Sequence, residues 1–131
     1  AIPPTALVFD DVVGLLDSNT DAFTSFISTF RHYNITVFIA VPYLKKNIST
    51  TVRECVNHFW LFNSKTDLTL KAFFESCGQL FDSYKEFKVY FLRATSQPYT
   101  ALFYNQDEDS REDAYRVIRA PAELPKVQLR Y

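Results

Sequence analysis

The stretch Thr5-Ala-Leu-Val-Phe-Asp-Asp11 is a short apolar run that ends abruptly in two carboxylates. A continuous apolar run of this length is typical of a strand that is covered on both faces, as in a parallel sheet. A second run, Ile35-Thr-Val-Phe-Ile-Ala-Val41, is rich in β-branched residues and ends at Pro42, which cannot donate to a ladder. The two runs predict adjacent strands near Ala6–Asp10 and Asn34–Val41.

The segments around these runs predict alternating helices and strands. Apolar residues recur at helical spacing from Ala22 to Phe30, and the polar residues from Ser18 to Thr20 can cap that helix. The further predictions are a short helix capped by Ser49 or Thr50, a strand at His58–Leu61, helices over Leu68–Cys77 and Leu80–Leu92, a strand at Thr100–Tyr104, and a short amphipathic segment from Arg111 to Arg119. This order favours an α/β fold with a mainly parallel sheet flanked by helices.

Length and composition limit the class of protein. The chain has 131 residues, and we expect residues 1–131 to form a single domain. Hydrophobic residues make up 47% and aromatic residues 17%, which excludes an intrinsically disordered chain. The two glycines, Gly14 and Gly78, are too few and too distant for a phosphate-cradling loop within this sequence. The net charge of −1 gives no bulk attraction to nucleic acid or to an anionic membrane.

The cysteines and the longest apolar run point to an intracellular protein. Cys55 and Cys77, taken with His32 and His58, form no CxxC or HxxxH pair, so we expect no zinc site and reduced thiols. The longest uncharged hydrophobic run, Ile35–Leu44, is too short to cross a bilayer. The first nine residues lack the basic start and long apolar stretch of a signal peptide.

Paired acids at the end of an apolar strand have a known chemical use. In P-loop nucleoside triphosphatases, the first acid at such a strand end holds the Mg²⁺–water shell, and the next orients or deprotonates the attacking water. Ligands of open α/β sheets bind outside the carboxyl ends of the strands, so the position of Asp10 and Asp11 suits this role. A solvated turn after a strand has the same pattern and remains the alternative.

Five segments together resemble one family. The sequence is similar to the FtsK/HerA-type genome-packaging ATPases of large nucleocytoplasmic DNA viruses, their virophages and related elements. The resemblance covers about Ala6 to Tyr104 and rests on Leu7–Asp11, Arg31-His-Tyr-Asn-Ile-Thr-Val-Phe38, Ile48–Arg53, Phe59–Phe62 and the strand from Tyr99.

The resemblance implies a partial P-loop ATPase core of the ASCE class, running from its metal-binding strand to the C-terminus and lacking the phosphate-loop half. ATP and Mg²⁺ are the implied cofactors. Asp10 matches the acid that binds Mg²⁺ and through it the nucleotide, and Asp11 matches the catalytic acid that polarises water. Arg53 matches an arginine that meets phosphate in its own subunit or a neighbour's, and Arg31 is the other candidate for that role.

The implied partners are double-stranded DNA, the missing phosphate-loop half or neighbouring subunits, and copies of the same chain in a homo-oligomeric ring, with no membrane. The host cytoplasm, a viral factory or the virion is the implied location. Two departures from the family stand out: Pro42 follows the strand where a polar sensor, commonly Gln, is usual, and the glycine-rich loop with its lysine is absent.

Two other hypotheses stay open. The chain can be a non-catalytic module that keeps the fold for assembly or for contact with DNA phosphates through Lys45, Lys46 and Arg53, with Tyr43 and His58 close by. It can also be an aromatic-rich interaction domain without a ligand. The interaction-domain hypothesis fails if Asp10 and Asp11 lie at the C-terminal edge of a parallel strand beside the strand that precedes Pro42.

Overall fold

The structure is a computed structural model that describes residues 3–11 and 21–123. Its helices and strands form a mixed α/β fold. In chain order they are β1 (Thr5–Asp10), α1 (Asp21–Thr29), a 3₁₀ helix (Phe30–Tyr33), β2 (Ile35–Ala40), α2 (Leu44–Asn47), α3 (Thr50–Cys55), β3 (His58–Phe62), α4 (Asp67–Cys77), α5 (Tyr84–Ala94), β4 (Thr100–Asn105), α6 (Arg111–Ala114) and β5 (Tyr115–Arg119).

β1 and β2 form a parallel pair. The register runs from Thr5 beside Ile35 to Asp10 beside Ala40, so the two strands are aligned over their full length. This confirms the prediction that the two apolar runs are adjacent and parallel. The helix between them is also confirmed, although its expected capping residues, Ser18 to Thr20, lie outside the described residues.

The expectation that this pair is covered on both faces is wrong for the part of the chain described. On one face Val37 and Ile39 pack against a cluster formed by α1 and α3, and the Phe9 ring meets Phe23 edge-on at 6.3 Å. On the other face Val8 is 68% exposed and Phe38 is 53% exposed. An unbroken apolar run therefore marks a strand here but does not show which of its faces is buried within the chain.

β3, β4 and β5 form a separate antiparallel sheet in the order β3-β4-β5. The prediction of a mainly parallel sheet is therefore correct only for β1 and β2. Two helices, α4 and α5, lie between β3 and β4. A single helix between two strands brings the chain back to begin a parallel strand, whereas a second helix reverses the chain direction once more, so that the next strand is antiparallel. β5 was expected to be part of an amphipathic segment, and only the first four residues, Arg111–Ala114, are helical.

The main core lies between the antiparallel sheet and the helices α4 and α5. Phe87 and Phe91 of α5 are fully buried, with ring centroids 6.0 Å apart. They pack with Leu70 of α4 and with Leu61 and Leu102 of the sheet. Among the described residues, no helix is long and apolar enough to span a membrane.

Serine side chains determine where two helices begin. Ser49 accepts a hydrogen bond from the amide of Val52 at 3.3 Å, which confirms the cap predicted for α3. Ser83 accepts one from the amide of Glu86 at 3.2 Å, so α5 begins at Tyr84 rather than at Leu80.

Candidate functional site

The two predicted acids lie at the carboxyl end of the parallel pair. Asp10 is the last residue of β1 and pairs in register with Ala40, the last residue of β2. Asp11 follows in a left-handed conformation with φ of 49°, which aspartate adopts more readily than most residues. Both residues are exposed. The strand end therefore presents two adjacent carboxylates to solvent.

The chemistry of these carboxylates fits a magnesium–nucleotide complex but does not complete a site for it. Mg²⁺ usually keeps several waters and binds one or two carboxylates together with substrate phosphates. Asp10 and Asp11 offer that number of carboxylates. Across residues 3–11 and 21–123, no group of three or more His, Cys, Asp and Glu side chains could hold a metal ion. The described side chains therefore do not form a metal site by themselves.

Arg31 lies at the other end of the parallel pair. It belongs to the 3₁₀ helix that leads into β2, whose first residue pairs with Thr5. Six residues of strand separate that end from Asp10, which is about 17 Å at about 3.3 Å per residue. The structure does not bring Arg31 together with the two acids.

Arg53 is held by its own segment of chain. Its Nη1 donates to the carbonyl oxygen of Ile48, and its Nη2 donates to Oγ1 of Thr50 at 3.0 Å. These bonds connect α3 to the turn before it. A role for Arg53 at a phosphate therefore requires that some of these bonds break or are shared.

The basic residues after β2 have different surroundings. Lys45 forms an ion pair with Glu75 of α4, which offsets its charge. The Lys46 Nζ lies 5.8 Å from the ring centre of Tyr43, and that ring is 57% exposed. Pro42 lies two residues beyond Ala40, the last residue of β2. Of these lysines, only Lys46 keeps a charge not offset by a described carboxylate.

The residues considered for zinc are not assembled into a site. Cys77 is fully buried in the main core, and burial raises the pKa of its thiol far above the ordinary value. Cys55 packs at the edge of the cluster around α1 and α3, and both thiols are free. Such a buried thiol is a poor nucleophile and a poor metal ligand.

The antiparallel sheet carries an exposed aromatic surface that the sequence patterns do not predict. We call it the aromatic face and define it as His58, Trp60, Phe62 and Phe103. The side chains of Phe59 and Leu61 alternate with those of β3 on this face and point into the core. The segment His58–Phe62 is apolar or aromatic throughout, so its sequence predicts a strand without showing that one face stays uncovered.

Comparisons with known proteins give no information on function. No protein-family model, no curated protein and no solved structure matched this chain.

Proposed function

We propose that this chain is the C-terminal portion of an ATP-driven double-stranded DNA translocase or packaging ATPase. The observation that carries the proposal is the parallel pair β1–β2, which ends in Asp10 and Asp11. Carboxylates at the carboxyl ends of parallel strands occupy the edge where open α/β sheets bind ligands. The resemblance of Leu7–Asp11 and Arg31–Phe38 to FtsK/HerA-type packaging ATPases supports the same reading.

The two acids have different tasks in this proposal. Asp10 accepts hydrogen bonds from the water shell of the metal and so helps to hold the nucleotide. Asp11 accepts a hydrogen bond from the attacking water, orients it and increases its nucleophilicity. When bound, magnesium–ATP supplies the transferable phosphoryl group and the charge that both acids face.

The phosphate-loop half is the partner that this reading requires. An isolated pair of strands is at best marginally stable, and parallel sheets are almost always covered on both faces. The exposed side chains of Val8 and Phe38 provide an apolar surface on which such a half can pack. The loop itself must supply the backbone donors and the lysine that hold the β- and γ-phosphates.

The test compares the 131-residue chain with a longer polypeptide that includes the phosphate loop. The chain alone should hydrolyse no ATP above background, because positioning of the phosphates supplies most of the catalysis. In the longer protein, Asp10→Ala should weaken Mg²⁺-dependent nucleotide binding and abolish turnover. Asp11→Asn should leave binding nearly intact and lower the rate by about 10²- to 10⁴-fold. Nucleotide affinity and turnover are measured for each variant.

Asp109→Asn is the matched control, because Asp109 is an exposed acid in a loop outside the strand end. It should change neither affinity nor turnover. Wild-type turnover in both Asp10→Ala and Asp11→Asn would mean that the acids are a solvated strand end, and the proposal would fail. Robust hydrolysis by the chain alone, abolished by Asp11→Asn, would disprove the need for a phosphate-loop half.

Arg53→Ala belongs to the same set of variants. If Arg53 acts across a subunit boundary, its loss should spare nucleotide binding and lower turnover only in the assembled ring. Thermal unfolding of the variant separates this role from the loss of its bonds to Ile48 and Thr50. Arg31, at the far end of the strands, can contribute only to a neighbouring subunit's site.

A non-catalytic assembly or DNA-contacting module is the second candidate. Pro42 at the sensor position and the internal hydrogen bonds of Arg53 favour it, because each removes a group that could respond to phosphate. In that case the longer polypeptide should bind DNA or its own copies while nucleotide has no effect on either. Nucleotide-dependent DNA binding would instead favour the motor.

A further inference from the structure

The aromatic face places its rings side by side across two paired strands. Trp60 of β3 is directly opposite Phe103 of β4, and their ring centroids are 5.0 Å apart. His58 lies 5.3 Å from the same Phe103 ring. Trp60 is 50% exposed and Phe62 is 67% exposed. The rings of His58, Trp60 and Phe103 are therefore in contact with one another, and Phe62 lies on the same face two residues further along β3.

The core does not use this surface. Helices α4 and α5 pack on the opposite face of the sheet, against Phe59, Leu61 and Leu102. An aromatic side chain left in water forgoes about 1.5–3 kcal/mol of burial free energy. A contiguous exposed apolar patch of this kind marks an interaction site more often than a scattered surface residue does.

Strand register places one charged residue, Arg116, on the aromatic face. Arg116 of β5 pairs in register with Phe103, so it lies on the same face, whereas Arg119, three residues further along the strand, lies on the opposite face. The three strands contain no Asp or Glu. The carboxylate of Asp107, just beyond β4, accepts a hydrogen bond from the Asn57 amide at 3.0 Å. The surface is therefore complementary to a ligand that is both flat and anionic.

We propose that the aromatic face binds single-stranded nucleic acid. Bases stack on Trp60 and Phe62, and the Arg116 guanidinium binds a phosphate. Every base has a π-face, so stacking of this kind tolerates any sequence. Trp60 and Phe62 are two residues apart on one strand, which sets them about 6.7 Å apart along it. In a duplex the bases are already stacked and paired, so only an unpaired strand can offer them to the rings.

The site differs from the proposed ATPase site in both position and chemistry. It lies on the antiparallel sheet, whereas Asp10 and Asp11 end the parallel pair. Binding at the aromatic face needs neither a metal ion nor a nucleoside triphosphate. A second copy of the chain is the competing occupant, and the experiment distinguishes it from nucleic acid.

Trp60 is the only tryptophan of the chain, so its fluorescence reports on the aromatic face alone. The 131-residue chain is titrated with a 12-nucleotide thymidine oligomer, without ATP or metal. Stacking should quench the Trp60 emission at micromolar oligomer. Phe62→Ala should weaken binding by about 5- to 150-fold, the loss expected for one stacked base. Phe62→Tyr, which keeps a ring, should retain binding. Arg116→Ala should weaken binding and lower the slope of log affinity against log salt by about 0.7.

Leu68→Ala is the matched control, because Leu68 is 79% exposed on α4. It should leave oligomer binding unchanged, and Asp10→Ala should do the same, whatever that variant does to ATP hydrolysis. Circular dichroism of each variant checks the fold.

Three results would overturn the proposal. The first is unchanged Trp60 emission up to about 100 μM oligomer, the weak limit of non-specific binding. The second is equal competition by a duplex of the same length. The third is a concentration-dependent shift of Trp60 emission without oligomer, accompanied by dimer formation, which would assign the face to a second copy.

Discussion

At the scale of single residues, Asp67 connects the start of α4 to α5. Its Oδ1 accepts hydrogen bonds from the Tyr84 hydroxyl at 2.5 Å and from Lys88 at 3.0 Å, and Lys71 lies 3.1 Å from its Oδ2. The bond from Tyr84, followed by those from the two lysines, holds the pKa of Asp67 far below its ordinary value of 3.8. Burial, and then the bond to Asp67, raises the pKa of Tyr84 to about 12.

We predict that Asp67→Asn removes a pH-dependent part of the stability. The folded-state pKa is depressed, so the carboxylate stabilises the fold fully above its unfolded value, near 3.8. That contribution is lost as the pH falls through the lower folded-state pKa. The difference in Tm between wild type and Asp67→Asn should be largest near pH 7 and should shrink as the pH falls from about 5 to 2. Thermal unfolding followed by circular dichroism measures it.

The group is exposed, so salt should reduce the Asp67 effect as well. Asp109→Asn serves as the control and should show no such convergence with pH. A Tm difference that stays constant from neutral to acid pH would contradict the role given to the charge of Asp67.

At the scale of elements, the end of α4 depends on the absence of a side chain at Gly78. The Gly78 amide donates to the carbonyl oxygen of Phe74 at 2.8 Å, which is the last helical hydrogen bond of α4. A Cβ at this position would lie 2.5 Å from that oxygen, closer than real Cβ atoms approach any atom. The oxygen belongs to the helix backbone and cannot move away without disrupting the last turn.

Gly78→Ala should therefore lower the free energy of unfolding by about 1–3 kcal/mol, as overpacking does. Chemical denaturation measures the loss. Ala72→Gly, in the interior of the same helix, is the comparison and should cost about 1 kcal/mol through helix propensity alone. If Gly78→Ala is as stable as wild type, the close approach of Phe74 is not required.

Sequence patterns predicted the positions of most strands better than they predicted the pairing between strands. Four of the five strands were predicted within two residues of their observed ends, because short apolar runs bounded by proline and polar residues are strong local signals. Their pairing is less local. The parallel partners β1 and β2, with α1 and a 3₁₀ helix in the described part of their connection, were predicted correctly. The antiparallel pairing of β3 and β4 depends on two intervening helices. β5 has two arginines in five residues, so its sequence is amphipathic whether it forms a helix or a strand.

In the candidate site, too, local features were predictable from the sequence and non-local ones were not. Asp10 and Asp11 are neighbours in the sequence, and their position at a strand end follows from the apolar run before them. The separation of Arg31 from these acids depends on strand direction, and the bonds of Arg53 depend on the turn at Ile48. The aromatic face depends on which side of β3 receives α4 and α5. Tertiary packing decides each of these, and local patterns do not encode it.

At the scale of the whole molecule, the described chain has two hydrophobic clusters of unequal extent. The larger joins the antiparallel sheet to α4 and α5 and includes the fully buried Phe87 and Phe91. The smaller is built on Phe23, Ile27, Ile48 and Val52 and covers one face of the parallel pair. Resistance to local opening increases with the buried apolar contacts of an element, so the two halves should differ in local stability.

We predict that backbone amides of β1 and β2 exchange hydrogen through openings of lower free energy than those of β3 and β4. The reason is the one uncovered face of the parallel pair, where Val8 and Phe38 meet solvent. Hydrogen exchange followed by mass spectrometry measures both sheets in one sample. If the proposed phosphate-loop half packs on this face, its addition should raise the protection of β1 and β2 while that of β3 and β4 changes less. Equal protection of the two sheets in the 131-residue chain would mean that the parallel pair is already covered, and the main structural reason for a missing half would disappear.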